Sequence, residues 1–283
     1  MAKGNLLLGT AANSVGDVVM YRREGAQVSR VRVRKVKNPK TNAQSTQRAF
    51  FAPVAKFYSP LAIVLERSFE GLSKAKSYAK FLKTNVDLAR TNDWLLPKGT
   101  GFFPLPYKLS QGSLPSIPQF ALDGGSLMIP IPHVAQTATS IGDFSKDVMN
   151  AGANKGDIIT IILCNADSSG NNYYPLAFQF EVNPDSTDTL ASIVPANVNF
   201  TYDTEEEAWE IENSQGRTKG GAIILARFEN NVWRRSTTFL NVSFNLMEQI
   251  DAAAWKAAAI ASYGATNTGD NPLVYLDGEE LNG

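Results

Sequence analysis

The stretch that most narrows what this chain can fold into is residues 16–48, GDVVMYRREGAQVSRVRVRKVKNPKTNAQSTQR. An apolar run over residues 18–21 leads into a tight reversal at Arg23, Glu24, Gly25 and Ala26. Beyond it, Val31 and Val33 alternate with Arg30, Arg32 and Arg34. Side chains alternate faces along a strand, so this pattern predicts one apolar face and one row of guanidiniums. Pro39, after Asn38, ends the strand because proline lacks the N–H that a ladder needs. Thr41 then reads as a helix N-cap, with Gln44 three residues on as in a capping box. The block is a basic β-hairpin feeding a helix, and no catalytic motif accompanies it.

The overall charge is zero, with 27 Lys and Arg against 27 Asp and Glu, but the charges are segregated. Residues 1–90 hold 17 basic against 5 acidic side chains, a net +12. The remaining 10 against 22 give residues 91–283 a net −12. Such separation predicts association, either with two different partners or head to tail between copies.

Residues 1–14 read as an extended arm. Residues 42–90 read as helical, with Phe50, Val54, Phe57, Leu61 and Val64 forming one buried stripe. Pro53 falls inside the first helix and is expected to kink it, and Pro60 either disfavours helix at Ser59 or is the N1 residue of a second helix. After a break near Gly71, Ser73 caps a second helix whose Lys74, Lys76, Lys80 and Lys83 surround a stripe of Tyr78, Phe81 and Leu82. Residues 91–120 are rich in proline, glycine and aromatics. They predict an ordered strap lying on a surface, the chain's own or a neighbour's.

Residues 121–245 read as short strands separated by turns. The apolar run DIITIILC has the length of a buried strand, YYPLAFQFEV alternates with Leu176, Phe178 and Phe180 on one face, and AWEIE reads as a strand or a short helix. A hairpin is expected around Glu229, Asn230 and Asn231. Residues 246–262 are an alanine-rich helix with a narrow stripe of Ile250, Ala254, Ala257 and Ala258 and with Trp255 beside it, ended by Gly264. The LVYL run of the tail is either a loose end or a strand donated to another subunit. The fold class is therefore α+β: an N-terminal β-hairpin plus helices, an antiparallel β-sandwich-like domain, and a C-terminal helix. The divisions are residues 1–90, a hairpin and helical module; 91–120, the strap; 121–245, the β-rich domain; and 246–283, the C-terminal helix and tail.

Several function classes find no support. One histidine, His133, and one cysteine, Cys164, cannot furnish the roughly four nitrogen and sulfur ligands of an ordinary zinc site. Cys164 reads as a core thiol. No nucleophile elbow lies near His133, and no phosphate-binding glycine loop occurs. The acidic run of Asp203, Thr204, Glu205, Glu206 and Glu207 lacks the alternating spacing of a calcium loop and reads as a solvated turn. No cofactor is expected. No apolar run approaches the roughly 18 residues of a membrane span, and the N-terminus is too weakly apolar for a signal peptide.

The remaining candidate for a site is the basic ribbon itself: Arg22, Arg23, Arg30, Arg32, Arg34, Lys35, Lys37 and Lys40, eight cations against one anion between residues 22 and 40. Two-stranded ribbons can enter a nucleic-acid groove, and Asn38-Pro39-Lys40-Thr41 resembles the loops of ribbon-armed DNA-bending proteins. Equally, the arginines can pair with acidic residues of the C-terminal half or of a neighbouring copy. A third reading is a surface carbohydrate or receptor binder, with Tyr173, Tyr174 and Trp209 as platforms.

The order of a leading Val-Val-x-Tyr, a reversal at Gly25, a basic Arg-Val-Arg strand and the Asn38, Pro39, Thr41, Ala43, Gln44, Arg48 entry into a Phe-rich helix resembles an uncharacterised family of Bacteroidales and phage-associated proteins, a domain of unknown function. The Asn-Pro-x-Thr-x-Ala-Gln entry also resembles phage structural proteins. The resemblance covers the first third of the chain, has no catalytic residues to carry over, and implies a virion setting. The expectation is a non-enzymatic structural or assembly protein, capsid-associated, located in the virion or in host cytoplasm during assembly. Its partners would be copies of itself and other virion proteins, with nucleic acid as the alternative.

Overall fold

The structure, a computed structural model, describes residues 13–15, 17–23, 26–32, 41–98, 104–118, 121–123, 126–133, 140–166, 173–213, 218–242 and 252–264. The chain divides into two compact units, Met1–Pro39 and Lys40–Gly283. The first is a three-stranded antiparallel sheet of β1 (Asn13–Val15), β2 (Val18–Arg23) and β3 (Ala26–Val31), in that order. The arm expected over residues 1–14 thus contributes a paired strand at its end, with Val15 opposite Val18. Arg23 pairs with Ala26, as the reversal between them requires.

The larger unit opens with helix α1 (Asn42–Tyr58). Thr41 is its extended N-cap and accepts the Gln44 backbone N–H at 3.4 Å. Phe50, Val54, Phe57 and Leu61 are buried as the stripe predicts, and Pro53 is buried in the helix interior. Ser59 stays helical (φ −51°, ψ −52°) in spite of the following proline, and Pro60, which has no N–H to continue the ladder, lies in a 3-10 turn, Ser59–Leu61. Gly71, at φ +75°, takes the chain into α2 (Lys74–Thr91), where Ser73 is the N-cap. The four lysines of α2 are exposed, and its buried side is Phe81, Asn85, Val86 and Ala89 rather than Tyr78, which reaches solvent.

The described parts of the strap, residues 91–98 and 104–118, lie on their own unit. Its strand β4 (Lys108–Ser110) is clamped by buried Asn85, whose amide NH2 donates to the Lys108 carbonyl at 3.0 Å and whose Oδ1 accepts the Lys108 N–H at 2.7 Å. One side-chain amide thereby replaces a neighbouring strand. Leu105, Tyr107 and Leu109 are buried, so the apolar side chains of a proline-rich segment become core. Phe102 and Phe103 lie outside the described residues.

The β-rich region follows in the order β5 (Ala121–Asp123), β6 (Ser126–Ile129), α3 (Ile141–Asn150), β7 (Ile158–Ala166), β8 (Tyr173–Glu181), β9 (Val198–Asp203), β10 (Ala208–Asn213), β11 (Thr218–Glu229), β12 (Val232–Arg235), β13 (Thr238–Phe239) and β14 (Asn241–Val242). AWEIE is therefore strand. A central sheet runs β12-β11-β7-β8 with β14 also on β11, an outer sheet runs β5-β6-β10-β9, and β13 pairs β4. All named pairs are antiparallel. Pro175 sits on β8, at the edge of the central sheet, where a missing N–H breaks no inner ladder.

The central sheet is buried on both faces, which explains why DIITIILC and GGAIILA show no polar alternation. Ile159, Ile161, Leu163, Phe178, Phe180, Ile223 and Leu225 meet Leu127, Ile129, Phe200, Trp209 and Ile211 of the outer sheet, together with Phe144 and Val148 of α3. Ile162, Cys164, Ala222 and Ile224 point the other way, into a second core formed with α1, α2, the strap and α4 (Ala252–Ser262). Gly221 faces the outer sheet, and a Cβ there would overlap the Leu127 side chain. Glycine at this position sets how closely the two sheets approach.

Helix α4 is pinned by Trp255, whose Nε1–H donates to the Leu95 carbonyl at 2.7 Å. Its buried side is Ala257, Ala259 and Ile260, while Ala258 is exposed and Ile250 lies outside the described residues. Gly264 at φ +78° follows it, the left-handed position that glycine takes without strain.

Helix α3 starts with a complete capping box. Ser140 Oγ accepts the Asp143 N–H at 3.1 Å, and Asp143 Oδ2 accepts the Ser140 hydroxyl at 2.6 Å and its backbone N–H at 3.4 Å. The Ser140 hydroxyl is the main reason why the Asp143 carboxyl lies below its ordinary 3.8, with Lys146 adding to it. A carboxyl depressed by folding stabilises above its unfolded value, and that contribution is lost as pH falls through the folded value. Asp143→Ala is expected to cost about 1 kcal/mol at neutral pH, and the difference from the parent should shrink on acidification. Urea midpoints at the two pH values check this; a difference that grows in acid contradicts it.

Candidate functional site

The basic ribbon lies on the N-terminal sheet. Arg30 stands opposite Val19, and its guanidinium carbon lies 5.9 Å from the centroid of the Tyr21 ring. Both side chains are exposed. Arg32 follows β3, its backbone N–H donating to the Asp17 carbonyl at 2.5 Å, and its side chain is also exposed. Neither Arg30 nor Arg32 takes part in an ion pair among the described residues. Arg22 and Arg23 occupy the last two positions of β2, paired with Gln27 and Ala26. Arg34, Lys35, Lys37 and Lys40 lie outside the described residues. β3 ends at Val31, which is 73 % exposed, so the valine face predicted for this strand is uncovered there.

No described side chain of this unit is buried. A three-stranded sheet gains independent stability from a covered apolar face, and a unit of about 40 residues usually needs a disulfide, a metal or a partner. The one cysteine lies in the other unit. This unit carries half of the basic excess of residues 1–90. Met1–Pro39 holds 8 Lys and Arg against 2 Asp and Glu, a net +6. The remaining 19 against 25 leave Lys40–Gly283 at −6.

The other candidates resolve into structural roles. His133 Nδ1 lies 2.6 Å from Asp147 Oδ2, and that oxygen also accepts the Trp209 Nε1–H at 2.9 Å. The His133 and Asp147 side chains are 4 % and 3 % exposed, and His133 Nε2 is buried without a hydrogen-bond partner. Burial raises the Asp147 carboxyl above its ordinary value in spite of the hydrogen bonds from His133 and Trp209. This is a buried polar knot: the nitrogen that would act as a base meets neither solvent nor a nucleophile. Cys164 is fully buried, and burial pushes its thiol up. The acidic run is the β9–β10 turn, where Asp203 Oδ1 accepts the backbone N–H groups of Glu205 (2.8 Å) and Glu206 (3.2 Å). Among the described residues no group of three or more His, Cys, Asp or Glu could hold a metal ion, and no helix is long and apolar enough to cross a membrane.

Trp209 corrects one expectation. It is completely buried, packed edge-on against Phe144, Phe200 and Tyr202, because β10 alternates and Trp209 falls on the core face. It cannot serve as a carbohydrate platform. Tyr174, another of the platform candidates, is exposed on β8, and Phe228 and Trp233 are exposed on the β11–β12 hairpin. Asn230 and Asn231 form its two-residue turn, both at positive φ as a primed turn requires. Phe228 and Trp233 stand opposite each other with centroids 5.2 Å apart. The Asn230-Asn231 turn, which fixes the register of the hairpin, was the available signal for this pair.

Residues 10–94 match a family of unknown function (DUF6266), a span that takes in the N-terminal sheet, α1 and α2. No curated protein and no solved structure matches the chain.

Proposed function

We propose that this protein is a non-enzymatic structural component of a phage or phage-like particle, seated through its basic N-terminal sheet on an acidic surface of a neighbouring virion protein or a second copy. The observation that carries the reading is the N-terminal sheet itself: among the described residues none of its side chains is buried, Val31, Arg30 and Arg32 are exposed, and neither arginine is in an ion pair. An uncovered sheet of this size gains most by docking on something. The phage setting rests on the resemblance of residues 38–48 to phage structural proteins.

Arg30→Glu, Arg32→Glu and Arg34→Glu combined are expected to abolish assembly while the larger unit keeps its unfolding transition. Sedimentation of the parent chain should show an oligomer, or co-assembly with other particle proteins, that weakens as salt rises. A parent chain that stays monomeric at every concentration and enters no particle overturns the reading. The excess of eight cations over one anion in residues 22–40 also suits a nucleic acid. Duplex DNA retained by the parent at low salt, released steeply with added salt and ignored by the triple variant, would make nucleic acid the partner instead.

A further inference from the structure

A cleft of about 450 Å³ opens between the segment after the 3-10 turn and the helix-side face of the central sheet. Ile63 and Arg67 form one wall, Gln179 and Glu181 of β8 the floor, and Trp233 and Arg235 of β12 the other wall. The cleft exists because Pro60 ends α1 at this point and leaves the end of the sheet without a helix over it. Its volume lies within the range of small-molecule sites, roughly 300–1,000 Å³.

Three arginines surround the hairpin, and only one lacks a carboxylate. Arg227 is held by both oxygens of Asp157 at 2.8 Å, and Arg234 pairs with Glu229 at 3.3 Å. Arg235 has no such partner among the described residues. Its Nε–H donates to the Arg67 carbonyl at 3.2 Å, and its guanidinium carbon lies 5.7 Å from the centroid of the Trp233 ring. Glu70 accepts the backbone N–H of Arg235, but both its oxygens also accept from Ser113 of the strap. Burial lowers the pKa of Arg235 from its ordinary value, with no compensating anion. A half-buried cation without a counter-charge is costly unless a ligand supplies one. Arg67 adds a second sign. It is a non-glycine residue at φ +55°, a conformation found where surrounding structure enforces it, often at binding sites.

The rest of the lining calls for more than a bare anion. Gln179 anchors its NH2 on Thr160 Oγ1 at 2.7 Å, which leaves its carbonyl oxygen as an acceptor. Two carboxylates line the cleft: Glu66 is paired with Lys74 Nζ at 2.8 Å, and Glu181 is exposed, so its repulsion of an anion is screened by water and salt. It remains an acceptor for hydroxyl groups. Ile63, 86 % exposed, and Trp233 offer an apolar rim. We propose that this cleft binds an acidic sugar, with the carboxylate on Arg235, hydroxyls on Gln179 and Glu181, and a C–H face against Trp233 and Ile63. The proposal is independent of the assembly reading, since the cleft lies wholly within the larger unit.

The test titrates D-glucuronate into the full chain, followed by amide chemical shifts, with D-glucose and hexanoate as comparisons. Glucuronate should saturate the residues lining the cleft and bind at least about tenfold more tightly than either comparison, the discrimination expected of a charge-assisted contact. Arg235→Gln should abolish the effect. If that variant does not fold, Ile63→Glu decides: both sugars lose the same apolar contact, but its like charge should weaken glucuronate several-fold more than glucose. No saturable glucuronate binding, equal binding of glucose or hexanoate, or indifference to Ile63→Glu would each overturn the proposal.

Discussion

Trp209→Ala is expected to lower the stability of the larger unit by about 3–5 kcal/mol, the range for deleting a fully buried aromatic side chain. Two effects add. The indole fills the space between the outer sheet and α3, with Phe144, Phe200, Tyr202 and His133 all within 5.6 Å of it, centroid to centroid. Its Nε1–H is also one of the two side-chain donors that hold the buried Asp147 carboxylate. Trp209→Phe separates the two effects. It keeps most of the volume, loses the donor, and should cost about 1–3 kcal/mol, the penalty for leaving a buried acceptor unmade. Urea denaturation of both variants measures the split. If Trp209→Phe is as damaging as Trp209→Ala, packing is not what the indole mainly supplies. A loss below about 1 kcal/mol for Trp209→Ala would mean that this core relaxes freely.

Gly112→Ala is expected to be comparably severe, on the order of 4 kcal/mol, although it adds a single methyl group. A Cβ at Gly112 would run into the Arg235 carbonyl oxygen, with the Arg235 carbonyl carbon at 2.8 Å and Glu70 Oε2 at 2.6 Å. Backbone cannot rotate aside as a side chain can. That carbonyl also accepts the Leu114 N–H at 3.0 Å, and the next residue is tied through Ser236 N–H to the Leu225 carbonyl at 2.9 Å. The strap and β12 should therefore part together, and proteolysis within residues 104–118 should accelerate with the loss of stability. Gly112→Ala with a parent-like midpoint and an uncut strap would show that this backbone contact yields.

Much of this protein was legible locally. Period-two alternation marked β8, the apolar runs marked β7 and β11, the Asn-Asn hairpin was readable in its turn residues, and Pro60 and Gly71 punctuated the helices as their ring and missing Cβ dictate. These are properties of a few adjacent residues, and adjacent residues suffice to specify them. That residues 104–118 pack on a surface was legible, since aromatics such as Tyr107 do not stay in water, but their partner was not: Asn85, 23 residues away, is what holds Lys108.

What only the tertiary structure decided is which face meets what. Periodicity says that Trp209 differs in orientation from Glu210, not which of the two looks into the core, and only the packing of the outer sheet on α3 makes the indole a core residue. The exposed pair of Phe228 and Trp233, and the lone guanidinium of Arg235 beside them, follow from where α1 stops over a sheet formed by strands far along the chain. The sequence by itself determined the elements and the segregation of charge, because those depend on neighbours in the chain and on composition. Burial and counter-charge depend on which distant segments come together, and only the folded chain decides that.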